Sequence, residues 1–108
     1  MSSENTNNQT VDLTILLPTY NESSSIEKML DAIKTIIPTN ISIEVLVVDD
    51  DSPDGTSGTV NSYIKKSRGD ICFRIHTRKN KRGVASAIID GIALAQGKFV
   101  LVISDFSL

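Results

Sequence analysis

Four short apolar runs alternate with three amphipathic stretches along this chain, and the alternation alone predicts the order β-α-β-α-β-α-β. Val11 to Leu17 is strand-like, and Pro18, which has no N–H to donate, ends its ladder. Ser24 and Glu27 stand at the S-x-x-E spacing of a capping box, so a helix is expected to start there. Ile26, Met29, Leu30, Ile33, Ile36 and Ile37 recur at helical spacing as one buried stripe, which Pro38-Thr39-Asn40 stops. Val45 to Val48 is an unbroken apolar run rich in β-branched residues, inside a strand expected from Ile43 to Asp49 and covered on both faces. Ser52-Pro53-Asp54-Gly55 makes a turn, and Thr56 is placed to cap a second helix that carries Val60, Tyr63 and Ile64 inward and ends near Gly69. Ile71 to His76 alternates enough to sit near a sheet edge. After Gly83 a third helix sets Val84, Ala87, Ile88, Ile92 and Ala95 on one side, with Gly91 allowing close approach to the sheet. Gly97 breaks that helix, and Phe99 to Ile103 forms the fourth strand.

Strands alternating with helices of this length imply right-handed crossovers and a parallel sheet, hence the α/β class. The loops after the first, second and fourth strands then share one rim, at the carboxyl ends where open α/β sheets bind ligands. Asp49, Asp50, Asp51 and Asp54 crowd that rim. Carboxylates so close are costly unless they face water, a donor-rich ligand or a cation.

With 108 residues the chain makes one small domain. Its net charge of −2 gives no footprint for nucleic acid, yet eight of its eleven basic residues fall between Lys65 and Arg82. One face can therefore grip anions. The single Cys72 excludes a disulfide framework and reads as a small buried apolar residue, which permits a reducing cytoplasm. Residues 1–10 are polar, with neither a basic start nor an apolar core segment, and are expected to be a disordered leader rather than a signal peptide or a membrane span. The expected location is cytoplasmic, at most peripheral to the cytoplasmic face of a membrane. His76, the one histidine, has no Cys or second His to complete a metal set and reads as a packed or exposed side chain. Neither a Ser/His/Asp constellation, a Walker loop nor G-x-G-x-x-G is present.

Leu17-Pro18-Thr19-Tyr20-Asn21-Glu22 and, about thirty residues on, Val47-Val48-Asp49-Asp50-Asp51-Ser52-Pro53-Asp54-Gly55-Thr56 together resemble the start of a GT-A family 2 glycosyltransferase. Within that family the dolichol-phosphate mannose synthase group is the most similar, and the resemblance runs from Leu13 to Ser107. It implies a Rossmann-like GT-A nucleotide-sugar-binding fold, with 11–108 as its N-terminal donor-binding part and the chain truncated after the fourth strand. It also implies that Asp50 reads the base and that Pro18, Thr19, Tyr20 and Glu22 pack around base and ribose. Lys81 and Gly83 would serve the diphosphate. Elementary chemistry agrees: a carboxylate at a strand end accepts ring N–H groups, and a helix start behind a basic loop favours phosphate. Asp49 and Asp54 read as structural, since such side chains bond turn and helix-start amides. Arg78, Lys79 and Arg82 stay open between a solvated face and further anion contacts.

The sequence departs from the family pattern twice. Ala85 stands where a second glycine is common, and Ile103-Ser104-Asp105 keeps only the last carboxylate of an Asp-x-Asp. The resemblance implies Mg²⁺ or Mn²⁺ held against the diphosphate, with Asp105 as candidate ligand; Ile103 has no atom to offer a cation.

The expected activity is inverting, metal-dependent transfer of a sugar to a polyprenyl (dolichyl) phosphate. Mannose from GDP-mannose is the first choice and a UDP-glucose type of donor the other. In the resembling family the acceptor-binding residues lie in a C-terminal part beyond Leu108. The alternative is an incomplete or non-catalytic remnant that binds nucleotide sugar, which Ile103 favours. A receiver-like signalling domain fits less well. Its acidic pair ends the first strand rather than the second, and Ile75-His76-Thr77 lacks the acceptor aspartate.

Overall fold

The first and second apolar runs take the middle of the sheet, while the fourth, unbroken from Phe99 to Ile103, lies at an edge. In the computed structural model, which describes residues 10–69 and 71–104, the elements are β1 (Val11–Thr19), α1 (Ile26–Ile36), β2 (Ile43–Asp49), α2 (Thr56–Lys66), β3 (Cys72–Thr77), α3 (Val84–Leu94) and β4 (Gly97–Val102). All pairings are parallel and the order is β3-β2-β1-β4. Every residue of β2 is buried, whereas β3 lies at an edge as its alternation predicts. The expected leader lies outside the described residues except for Thr10. Among the described residues, no helix is long and apolar enough to cross a membrane.

Two layers of helix cover the sheet unequally. Ile26, Leu30 and Ile33 of α1 and Val60 of α2 pack on Ile15, Leu17, Val45, Val47 and Phe73. On the other face α3 works alone, with Ala87 against Leu16, Leu46 and Val48. Gly91 gives the close approach expected of it: a Cβ there would lie 2.5 Å from a terminal carbon of Leu16. Gly97 is tighter, since its Cβ would stand 2.4 Å from the backbone nitrogen of Thr14.

Several local expectations need correction. The Ser24–Glu27 capping box does not form. The helix starts at Ile26, with Ser25 as N-cap and no side-chain cap, because the carbonyl of Glu22 already accepts from the amides of Ser25 and Ile26. Gly55 in the left-handed region (φ +85°), not Thr56, caps α2, and Thr56 is its buried first residue. That helix ends at Lys66, short of Gly69. Ile36 turns outward and is 76 % exposed, beyond the edge of the α1 stripe. Val84 and Ile92 are also more than half exposed. On α3 the fully buried positions are the small ones, Ala87 and Gly91, with Ile88 partly buried beside them, and Leu16 leaves no room for a side chain at Gly91. Leu94 ends that helix and Gly97 opens β4 rather than breaking α3. Cys72, expected to be buried, is exposed on the edge strand.

One buried charge had no expectation attached. Glu44, 1 % exposed at the end of the sheet away from the acidic loop, accepts from the Thr14 hydroxyl, from Arg74 Nε at 2.9 Å and from the Gln96 amide at 2.7 Å. Arg74 also donates to the Leu94 carbonyl at 2.8 Å, and Thr14 Oγ1 accepts the Gly97 amide at 2.9 Å. A buried carboxylate is tolerable only when its lone pairs are met this fully. The network ties three strands to the turn between α3 and β4.

Candidate functional site

The register Thr19↔Asp49 and Asp49↔Thr77 brings the carboxyl ends of β1, β2 and β3 level. The Ile103 amide donates to the Leu16 carbonyl at 3.0 Å, which draws the end of β4 alongside. Each of the loops after β1, β2 and β3 turns through a left-handed residue, Asn21, Asp51 and Asn80 respectively. Asn and Asp take that conformation at least cost among side-chain-bearing residues.

Asp49 and Asp54 lace these loops together. Asp49 accepts from the Thr19 hydroxyl at 2.7 Å, the Ser52 amide at 2.9 Å and the Ser57 hydroxyl at 3.1 Å. Asp54 accepts the Ser23 amide at 3.0 Å and the Thr56 amide at 3.1 Å. Burial pushes the Asp54 carboxyl up, but the bonds from Thr56 and Ser23 outweigh it and hold it below its ordinary value. Both aspartates fill structural places, in keeping with their sequence reading.

Asp50 is buried and meets Arg78, whose side chain is only 2 % exposed. Arg78 Nε donates to Oδ1 at 2.7 Å and Nη2 to Oδ2 at 3.0 Å. Nη1 reaches Ser86 Oγ at 2.7 Å and Asp90 Oδ2 at 3.0 Å, and Nη2 also donates to the Gly83 carbonyl at 3.2 Å. A guanidinium has five N–H donors, so none is left for a ligand. The Gly83 amide completes the frame by donating to Asp50 Oδ2 at 2.9 Å. Burial pushes the Asp50 carboxyl up, yet Arg78, the Gly83 amide and the charge of Arg82 hold it below the usual range. An ionised carboxylate has about four acceptor places; three are filled, and Oδ1 keeps one. Arg78 is thus neither a solvated charge nor an anion contact. It builds the floor.

Above that floor lies a cavity of about 410 Å³ lined by Pro18, Thr19, Tyr20, Glu22, Asp50, Arg82, Gly83, Val84, Ala87 and Ser104. Six of the candidate residues thus meet in one place: Pro18, Thr19, Tyr20, Glu22, Asp50 and Gly83. Lys81 does not line it. Its ammonium sits 3.3 Å from Asp90, over an adjoining hollow of about 320 Å³ that shares Asp50 and Arg82 with the main cavity. Arg82 places its guanidinium carbon 4.3 Å from the centre of the Tyr20 ring, a cation–π distance. His76 is exposed at the end of β3.

Asp105 lies outside the described residues. Ile103 is packed against the core of the sheet, and Ser104 lines the cavity. Among the described residues, no group of three or more His, Cys, Asp or Glu side chains is placed to hold a metal ion. These residues by themselves do not make a metal site.

Sequence reasoning missed Ser104, Asp90 and the cavity-facing place of Arg82. Asp90 was legible as the one charge in the otherwise uncharged helix VASAIIDGIAL.

The Glycosyl transferase family 2 profile matches residues 14–105. A dolichyl-phosphate beta-glucosyltransferase of Dictyostelium discoideum is 34% identical over 84% of this chain and 29% of its own. A dolichol-phosphate mannosyltransferase of Pyrococcus furiosus is 31% identical over 89% of this chain and 26% of its own. Among solved structures, a mannosyltransferase from Pyrobaculum calidifontis in complex with GDP-Man and Mn²⁺ matches with a TM-score of 0.77 and 31% identity, over 90% of this chain and 28% of that one. Glucosyl-3-phosphoglycerate synthase from Mycobacterium tuberculosis, in complex with Mn²⁺, UDP and glucosyl-3-phosphoglycerate, shares the fold at a TM-score of 0.67 and 20% identity, over 87% of this chain and 33% of its own. The chain spans a third or less of the length of each of these proteins. With its paired motifs set around one cavity and the family profile matched over residues 14–105, the chain belongs to glycosyl transferase family 2.

Proposed function

We propose that residues 11–108 form the donor-nucleotide part of a glycosyltransferase that moves a hexose from a nucleotide sugar to a polyprenyl phosphate with inversion. Mannose from GDP-mannose is the first choice, because two of the relatives named above are mannosyltransferases and one was solved with GDP-Man. The observation that carries the reading is the convergence of Pro18, Tyr20, Glu22, Asp50 and Gly83 on one cavity of about 410 Å³. The free acceptor place on Asp50 Oδ1 takes a ring N–H of the base, which guanine and uracil both offer. Tyr20 and Pro18 would flank the base, Thr19 and Glu22 the ribose, and Arg82, joined by Lys81 from the adjoining hollow, the diphosphate.

In this proposal the chain's own residues bind and orient. Fixing the donor converts attack at the anomeric carbon into an in-line displacement within one complex. The acceptor phosphate is already ionised at neutral pH, so a strong general base is less needed than for an alcohol. A divalent cation, Mg²⁺ or Mn²⁺, would be taken up with the donor's diphosphate oxygens and the Asp105 carboxylate, and would neutralise charge on the departing diphosphate.

A second reading, donor binding without turnover, is favoured by Ile103, whose side chain packs into the core where the family pattern has a carboxylate. One experiment serves both. GDP-mannose or UDP-glucose with Mn²⁺ should raise the melting temperature, and Asp50→Ala should abolish the rise. A flat melting temperature with either donor, with or without metal, removes the donor site. Binding without transfer to dolichyl phosphate selects the second reading.

A further inference from the structure

We propose that Asp90 is a positioning residue that keeps Lys81 in reserve beside the cavity and releases it to the donor's diphosphate. The inference rests on the donor-site reading above and assigns a task to a residue that the motifs leave out. Asp90 is the only charged side chain on α3, and its Oδ2 takes Arg78 Nη1 at 3.0 Å and Lys81 Nζ at 3.3 Å together. The two cations are unlike. Arg78 is 2 % exposed and built into the floor, whereas Lys81 is 62 % exposed and sits in water.

A solvated ion pair of the Lys81 kind prefers its partner by only about two- to fivefold. When Lys81 leaves, Asp90 is not stranded, because Arg78 and its hydrogen bond remain. Departure therefore costs little, and the ammonium has a near destination. The hollow that Lys81 lines shares Asp50 and Arg82 with the main cavity. A flexible lysine stem, with a compact ammonium at its tip, suits such a transfer better than an arginine fork. Asp90 thus competes with phosphate for Lys81 and sets how much of the donor's affinity the diphosphate contributes.

The test is a calorimetric titration of the 108-residue chain with GDP and UDP, each beside its nucleoside, in a double-mutant cycle of Asp90→Asn and Lys81→Met. The amide that replaces the carboxylate still accepts from Arg78 but carries no charge to hold Lys81. Asp90→Asn should tighten the diphosphate about two- to fivefold and leave the nucleoside unchanged. With Lys81→Met in place it should change neither. Tightening that persists with Lys81→Met is a general effect of removing negative charge and overturns the proposal. So does equal weakening of nucleoside and diphosphate, which makes Asp90 a support for Arg78 and nothing more. If neither diphosphate binds the unaltered chain, the donor-site reading falls and takes this inference with it.

Discussion

Arg78 and Asp50 form the joint on which the rim is built. The guanidinium has every donor engaged, and a lysine in its place has three donors that radiate from one point. Arg78→Lys keeps the charge and loses the fork, so Asp50, Ser86 and the Gly83 carbonyl cannot all be met. We expect it to cost about 2–4 kcal/mol in urea denaturation, less than the roughly 3–5 kcal/mol for removing one partner of a buried pair outright because the charge is kept, and to abolish GDP binding. Arg82→Lys, at an exposed position, should leave stability within about 0.5 kcal/mol. Equal stability of the two variants would contradict the floor described here. At this scale the sequence was partly legible. Asp49 and Asp54 announced their structural places through turn chemistry. Arg78 hid inside a basic loop that reads equally as a solvated face or as anion contacts. Yet the parallel pairing of Asp49 with Thr77 puts the next residues, Asp50 and Arg78, side by side, so a strand register drawn from the two apolar runs would have found the pair.

The elements were legible where periodicity was strong and blurred where it was not. α1 has a clear apolar stripe, and its buried face is legible apart from Ile36, although the capping box expected at its start does not form. α3 is apolar on nearly every side, so its sequence does not say which face meets the sheet; the size of Ala87 and Gly91 decides it instead. Glu44 was invisible, being a charge inside an apolar strand whose partners come from β1, β3 and the turn before β4. Its carboxyl is pushed up by burial and drawn down more strongly by Thr14, the Gln96 amide and Arg74, so that it lies below its ordinary 4.5. The unfolded chain, where that carboxyl returns to its ordinary value, therefore binds more protons in the acid range. The network's contribution is fully present above the ordinary value and is lost as pH falls through the lowered one. Glu44→Gln should lower stability near neutrality and flatten the acid side of a stability-against-pH curve. Asp50, shifted in the same sense, keeps some of that slope. An acid limb as steep as that of the unaltered chain would show that Glu44 is not paired as described.

For the whole molecule, the alternation of strands and helices was enough to foresee a parallel sheet with its loops gathered at one rim. Two helices seal one face and a single helix covers the other, and the cavity opens where the inner strands end. The cations of an acidic chain are drawn to that rim by the basic loop after β3, so a chain of net charge −2 still presents an anion-binding corner. A hollow of about 210 Å³ between Lys34, Thr39, Arg68 and Ile71, at the opposite end of the sheet, gives the account a natural rival location. The most direct test is to follow backbone amide signals by NMR while GDP is added to the 108-residue chain. The account predicts that the signals of Tyr20, Asp50, Arg82, Gly83 and Ser104 move together along one saturable curve. Shifts centred on Lys34, Thr39, Arg68 and Ile71, or no saturable shift anywhere, would contradict it.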